Sequence, residues 1–176
     1  RSGVGPITHF DAAAFASRIA GEVRGFDPEQ WMDPREARKF DRFIHFAVAA
    51  ARQVVAAAGL DLAREDRDRV GVVIGSGIGG LQLLERQHVV LLQKGPGRLS
   101  PFFIPGMVIN LASGMVSIEL GLKGPNSAPA TACATGNHAI GDAFRDDFAR
   151  RAGRHVPREA LQDVRDEAGD LLVYDE

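Results

Sequence analysis

A short apolar run, VGVVIG at residues 70–75, has no polar residue to turn toward solvent. Strands of this kind are buried on both faces, as the central strands of layered sheets are. The run therefore predicts a central strand, which helices have to cover.

The most clearly marked helix precedes that strand. Asp33 occupies an N-cap position, Pro34 the first helical position and Glu36 the third position after the cap, while Gly59 provides a stop. Apolar residues between them recur at spacings of three and four. The pattern predicts one long core helix.

Three further elements are predicted after the strand. Helical patterns cover 81–94 and 106–120, and a strand of small residues runs to about Ala132. A last helix is expected to begin within two residues of Cys133. The resulting order of helix, strand, helix, helix, strand, helix predicts a layered α/β domain.

The composition excludes several classes of protein. The 176 residues suffice for one domain, and no apolar run approaches the roughly 20 residues of a membrane span. With 21 Lys and Arg against 23 Asp and Glu, the net charge of −2 does not favour nucleic-acid or membrane partners. A single cysteine excludes an internal disulfide and a cysteine-based zinc site, so no metal is expected.

The two ends of the chain differ from its middle. The opening residues lack the apolar segment of a signal peptide, which makes a cytoplasmic location the expectation. Residues 146–176 hold five Arg against nine Asp and Glu, a local net charge of −4. We therefore expect one domain over 1–145, followed by a tail of different character over 146–176, with an acidic amphipathic helix as its simplest structure.

Glycines follow the predicted central strand at the spacing of a dinucleotide-binding loop. Gly75, Gly77 and Gly80 satisfy G-x-G-x-x-G between a strand and a helix. Such a loop also requires an acidic residue about 20 positions later, yet no Asp or Glu lies between Glu85 and Glu119. A tight strand-to-helix turn is the favoured interpretation.

The lone cysteine lies where a nucleophile is typically presented. Small residues surround Cys133, so the backbone can turn sharply from strand to helix and leave the thiol exposed. The unpaired N–H groups of a helix N-terminus favour a thiolate and can stabilise an oxyanion. The alternative is a small buried hydrophobe, the commonest environment of cysteine.

No histidine of the chain is identifiable as a base for this thiol. A helix turns about 500° over five residues, so His138 is expected to point about 140° away from Cys133. His45 lies on an apolar helix face and is expected to be a satisfied core residue. The remaining histidines, which have no partner at metal-ligand spacing, are His9, His88 and His155.

The segment GPNSAPATACATGNHAIGDAFR around Cys133 resembles the nucleophile region of a β-ketoacyl-acyl-carrier-protein synthase of the type II, chain-elongating kind. The resemblance extends from Ser2 to Arg145. Its other blocks are GVGPITHFD, RIAGEV, FDPEQWMDPREARKFDRFIHFAVAAA, VGVVIGSGIGGL and SPFFIPGMVINLASG. The form TACATG resembles that of the discrete bacterial or organellar enzymes and differs from the TACSSS form usual in modular polyketide synthases.

The resemblance implies a thiolase-like, layered α/β/α fold of which this chain holds an incomplete first half. It implies that Cys133 accepts an acyl chain from acyl carrier protein and that its backbone N–H forms one arm of the oxyanion hole. Ile78 would line the inner end of the acyl pocket, and Phe103 would lie near that pocket or reach toward the pocket of a homodimer partner. The resemblance implies no cofactor, since both substrates are attached to the phosphopantetheine of acyl carrier protein.

The resemblance has two gaps. The two active-site histidines and the lysine of the family belong to a second half, and the opening strand and helix of the family precede SGVGPI. We therefore expect this chain alone not to condense acyl and malonyl units. The alternative hypothesis is a non-catalytic remnant or dimerising interaction module of the same fold.

Overall fold

The computed structural model describes residues 3–151, with side chains from residue 3 to residue 146. The α-helices in this part of the chain are α1 (Pro34–Ala37), α2 (Arg42–Ala57), α3 (Leu81–Lys94), α4 (Phe103–Met107), α5 (Leu111–Leu120) and α6 (Thr135–Arg151). The strands are β1 (Val4–Pro6), β2 (Ile19–Gly21), β3 (Val72–Val73) and β4 (Asn126–Ser127). The structure of the predicted acidic helix in 146–176 lies mostly outside the described residues.

An antiparallel hairpin of β1 and β2 begins the described chain, with Val4 opposite Gly21. Glu22 closes its loop by accepting hydrogen bonds from the backbone N–H and the hydroxyl of Thr8, at 2.8 and 2.7 Å. These bonds lower the pKa of Glu22 to about 2. The hairpin is held to α2 by Arg42, which donates to the Val23 carbonyl at 2.7 Å.

The first predicted helix is divided in two. Asp33 caps α1 as expected, accepting from the Arg35 N–H at 2.7 Å, and Gly59 follows α2 with φ of +62°. Between them the helix stops, because the Asp41 N–H donates to the Gly106 carbonyl rather than along a continuous helix. The prediction of a single helix from Asp33 to Gly59 is therefore wrong.

Asp41 begins α2 and also joins it to α3. Its carboxylate is buried and accepts from the backbone N–H groups of Arg42 and Leu83, both at 2.6 Å. Leu83 lies in the first turn of α3, where no backbone partner is available to its N–H. One side chain thus satisfies the N-termini of two helices.

The core lies between α2 and α5, and α5 also packs on β3. Ile44 and Val48 of α2 are 0% and 1% exposed, and Ala112 and Val116 of α5 are 1% and 2% exposed. The apolar face predicted for the first long helix is confirmed at Ile44 and Val48. The other buried members of the core are Met32, Ala37, Phe40, Ala47, Val72 and Met115.

The helix predicted over 106–120 is also interrupted. Val108 has an extended backbone, with ψ of 141°, and separates α4 from α5. The Met107 carbonyl accepts from the N–H of Gly80, at 2.8 Å, instead of from the next turn of its own helix. The end at Gly121 is confirmed, with φ of +66°.

The two predicted strands form a short parallel pair. Val72 lies opposite Asn126 and Val73 opposite Ser127, so both strands are shorter than predicted. Pro129 lacks an N–H and ends the pairing of β4. Within the described residues β3 pairs with β4 alone, and α5 and α6 both contact β3.

A polar network fastens β4 to α5. The Ser113 hydroxyl, 0% exposed, lies 2.8 Å from the Asn126 Oδ1 atom. The Asn126 amide donates in turn to the Ser113 carbonyl at 3.0 Å and to the Ser117 hydroxyl at 2.7 Å. The strand that leads toward Cys133 is thereby tied to a core helix.

Several large apolar side chains remain on the surface of the described part. The most exposed are Leu92 (73%), Ile78 (71%), Ile118 (70%), Ile140 (66%) and Val54 (66%). They are distributed over four helices and the loop before α3. None of the helices described has the length and apolar character needed to cross a bilayer.

Replacement of Asp41 by Ala should lower the free energy of unfolding by about 1–3 kcal/mol, because it leaves the buried Leu83 N–H without an acceptor. Asp33→Ala is the matched control, since it removes an exposed cap of one helix and should cost about 0.5–1 kcal/mol. Urea unfolding followed by circular dichroism measures both. Equal losses in the two variants would contradict the double role of Asp41.

Candidate active site

Cys133 lies in a 3₁₀ turn, Ala132–Ala134, that connects the segment after β4 to α6. Its thiol is free and exposed. The preceding residue, Ala132, has φ of +48°, a left-handed conformation that costs energy in a residue with a Cβ atom. The predicted sharp bend, with an exposed thiol at the start of a helix, is confirmed.

Thr135 binds the backbone at the start of this turn through two hydrogen bonds. Its hydroxyl accepts from the Thr131 N–H at 2.8 Å and donates to the Ala132 carbonyl at 2.8 Å. The side chain is buried, with the residue 5% exposed. Sequence reasoning missed this role, although a hydroxyl residue in the first turn of a helix is a recognisable signal for a local bond to the backbone.

The glycine-rich loop after β3 lies against the turn. A Cβ atom on Gly75 would lie 2.2 Å from the Thr135 methyl and 2.3 Å from the Pro129 carbonyl oxygen, and one on Gly77 would lie 3.4 Å from the Ala132 Cα. These glycines therefore allow two backbone segments to approach closely.

The far end of the loop packs on other parts of the chain. Gly79 has φ of +78°, and a Cβ atom on Gly80 would lie 2.9 Å from both the Asp41 Cβ and the Gly106 carbonyl oxygen. The spacing of the motif is thus explained by contacts within the protein. The structure favours the tight-turn interpretation over a dinucleotide site.

The two predicted pocket residues lie on neighbouring elements. Ile78 is 71% exposed and follows Gly77, which passes the Cys133 turn. Phe103 is half-buried and begins α4, whose last residue, Met107, accepts the hydrogen bond from Gly80. The loop therefore contacts both the turn and α4, while the acyl-pocket roles of Ile78 and Phe103 stay predictions.

His45 is the satisfied residue that was expected. Its Nε2 atom lies 2.8 Å from the Ala37 carbonyl, across the break between α1 and α2. Burial lowers the pKa of His45 more than this bond and the charge of Asp41 raise it. The side chain therefore favours the neutral form and supports the break in the helix.

The other histidines do not form a metal centre in the part of the chain that carries side chains. His138 is half-buried on α6, and His88 is exposed on α3. The His9 backbone N–H donates to Glu22 at 3.3 Å, and His155 lies outside the described residues. Within residues 3–146, no group of three His, Cys, Asp or Glu residues is placed to hold a metal ion.

The sequence matches one family model and is similar to several 3-oxoacyl-acyl-carrier-protein synthases. A family model described as β-ketoacyl synthase, N-terminal domain, matches residues 1–151. The 3-oxoacyl-acyl-carrier-protein synthase 2 of Synechocystis sp. is 54% identical over 145 residues, covering 82% of this chain and 35% of the relative. The protein of the same name from Staphylococcus aureus is 48% identical over 144 residues, covering 82% and 36%. The chain spans about a third of the length of these relatives.

Solved structures with similar folds are ketosynthases. The ishigamide ketosynthase/chain length factor has a TM-score of 0.73 at 26% identity, covering 99% of this chain and 45% of that one. A type II polyketide acyl-carrier protein in complex with its ketosynthase gives 0.64 at 25% identity, covering 70% and 35%. A β-ketoacyl synthase from Burkholderia phymatum gives 0.66 at 27%, covering 83% and 36%. The predicted thiolase-like, layered α/β fold, present in part, is confirmed.

The lowered pKa of His45 predicts a pH dependence of stability. Below a pH of about 6.5 the unfolded chain binds a proton that the folded chain does not, so the free energy of unfolding should fall as the pH decreases through this value. His45→Gln, which keeps a donor for the Ala37 carbonyl, should flatten this dependence. Urea unfolding between about pH 5 and pH 7.5 measures it.

His88→Gln is the control for this prediction, because it removes an exposed histidine. The His88 variant should keep the pH dependence of the unsubstituted chain. Parallel curves for the His45 variant and the unsubstituted chain would show that His45 is not responsible.

Proposed function

The chain belongs to the β-ketoacyl synthase family, and from this premise we propose that it carries the cysteine nucleophile of a chain-elongating synthase of fatty acid biosynthesis. Its proposed role is to accept an acyl chain from acyl carrier protein for decarboxylative condensation with malonyl-carrier protein. The observation that carries the proposal is the exposed thiol of Cys133 in a strained turn before α6.

The first stage is a transfer between two thioesters. The Sγ atom of Cys133 attacks the acyl carbonyl carbon, and a tetrahedral oxyanion forms. The C–S bond to the phosphopantetheine sulfur then breaks, and that sulfur leaves with the proton that the cysteine thiol has lost. The Cys133 backbone N–H is the proposed donor to the oxyanion, a kind of interaction that is usually a large contribution to acyl transfer.

The second stage makes a carbon–carbon bond. Malonyl-carrier protein loses carbon dioxide, and the resulting carbanion attacks the thioester carbonyl on Cys133. The bond from that carbonyl to Sγ breaks and regenerates the thiolate. This stage needs polar donors for the decarboxylation, which the family resemblance assigns to histidines beyond those of this sequence.

Acyl carrier protein is the proposed partner, and its phosphopantetheine removes the need for a cofactor bound to this chain. Support comes from the names of the relatives, which are 3-oxoacyl-acyl-carrier-protein synthases, and from the solved complex of an acyl-carrier protein with its ketosynthase. A homodimer is also proposed. The exposed apolar side chains of Leu92 and Ile118 are consistent with further protein contacts at α3 and α5.

Ile78 and Phe103 are the proposed pocket residues. Ile78 is the one large side chain between Gly77 and Gly79, and its loop passes the Cys133 turn. Phe103 lies on α4, which holds the other end of the same loop through Met107. The proposed acyl chain therefore runs from the thiol toward this loop.

Cys133 in the folded 176-residue chain should be acylated by an acyl-pantetheine thioester about tenfold faster, or more, than in the same chain unfolded in urea. The reason is that only the folded turn aims a backbone N–H at the developing oxyanion. Intact-mass kinetics measure the rate, and circular dichroism verifies the folded state. Cys133→Ala is the control for acylation elsewhere, and it should show none.

Equal rates in the folded and unfolded chain would overturn the proposed role of Cys133. That outcome would favour the alternative, a non-catalytic interaction module of the same fold. The same samples mixed with malonyl-carrier protein should give no condensation product, because the chain lacks an identified donor for decarboxylation.

Replacement of Ile78 by Phe should slow acylation by long acyl chains and leave acylation by short chains nearly unchanged. It is tested in a complete synthase that carries this segment, where added ring volume overpacks the inner end of the pocket. Val54→Phe is the matched control, since Val54 is also exposed, at 66% against 71% for Ile78, but lies on α2. Equal slowing of short and long chains, with a lowered melting temperature, would remove Ile78 from the pocket.

A further inference from the structure

The hydroxyl of Thr135 both donates and accepts a hydrogen bond within the turn that precedes it. It accepts from the Thr131 N–H and donates to the Ala132 carbonyl, each at 2.8 Å. These two peptide groups belong to the residues just before Cys133. A threonine that capped the helix would instead accept from an N–H group further along that helix.

The turn needs such a bridge because its backbone adopts a conformation of raised energy. Ala132 has φ of +48°, in a region that residues with a Cβ atom avoid. Such a conformation persists only where the surroundings determine it. The direction in which the Cys133 N–H and thiol point depends on this residue, since it sets the path of the chain into Cys133.

The methyl group of Thr135 is held as firmly as the hydroxyl. It occupies the space beside Gly75, where a Cβ atom would lie only 2.2 Å away. The Pro129 carbonyl oxygen borders the same space, at 2.3 Å from that Cβ position. Thr135 is 5% exposed, so both branches of its side chain have defined neighbours.

We infer that Thr135 is a positioning residue for acyl transfer, whose hydroxyl holds Ala132 in its left-handed conformation and thereby aims the Cys133 backbone N–H and thiol at the acyl carbonyl. The inference rests on the proposed function, in which Cys133 carries out the acyl transfer. Thr135 itself does not touch the substrate. Its removal should therefore affect steps that need the oxyanion donor more than steps that need only an accessible thiol.

The test uses the 176-residue chain and two reagents for the same thiol. Acylation by an acyl-pantetheine thioester passes through an oxyanion, whereas alkylation by iodoacetamide displaces iodide and forms no oxyanion. Thr135→Val keeps the shape of the side chain and removes the hydroxyl. It should slow acylation by about tenfold or more and change alkylation by less than about twofold.

Two further variants separate the hydroxyl from the rest of the side chain. Thr135→Ser keeps the hydroxyl and loses the methyl group, so acylation should stay within about threefold of the unsubstituted chain. Ser127→Ala also removes a hydroxyl, at an exposed position of β4 outside this bridge, and it should change neither rate. Thermal unfolding and circular dichroism are recorded for all variants.

Each outcome decides the inference. Three results would overturn the positioning role while the role of Cys133 stands. Thr135→Val could be acylated as fast as the unsubstituted chain, or its acylation and alkylation could slow equally. Acylation of Thr135→Ser could also be as slow as that of Thr135→Val. Failure of the unsubstituted chain to be acylated overturns the proposed function, and this inference falls with it. Selective loss of acylation in Thr135→Val with recovery in Thr135→Ser supports it. If Thr135→Val fails to fold, Thr135→Ala, which also lacks the hydroxyl, takes its place in the same comparison.

Discussion

The absence of a side chain at Gly75 is the constraint on which the arrangement around Cys133 depends. The space that a Cβ atom would take is occupied by the Thr135 methyl and the Pro129 carbonyl oxygen. The loop after β3 and the turn before α6 can therefore lie in direct contact. A side chain at this position would force the two segments apart.

Hydrogen bonds, and not apolar packing alone, connect the loop after β3 and the turn before α6 to the core. Asn126, at the start of β4, is bonded to Ser113 in the core helix α5. Asp41, at the start of α2, is bonded to the first turn of α3 through Leu83. The two segments that meet at the turn are thus tied to α5 and α2, the pair of helices that form the core.

Local sequence pattern predicted those elements whose ends are set locally. The helix 81–94 is confirmed with both predicted boundaries, because glycines flank it on either side. The long helices predicted from Asp33 and over 106–120 are wrong in continuity, because Asp41 and Met107 form hydrogen bonds to segments distant in sequence. Such bonds leave no periodic signal, whereas the apolar faces that pack the core do.

At the site, the sequence identified the exposed cysteine and its bend but not the side chain that holds the bend. Small residues around Cys133 indicated a sharp turn, since they alone permit close packing. The bridge from Thr135 depends on its orientation relative to Thr131 and Ala132, which spacing does not specify. The two stages of the proposed reaction also differ in whether the groups they need are close together in the sequence. Acyl transfer draws on a nucleophile and a backbone donor from one local turn, whereas decarboxylation requires side chains that only a larger fold can bring to that turn.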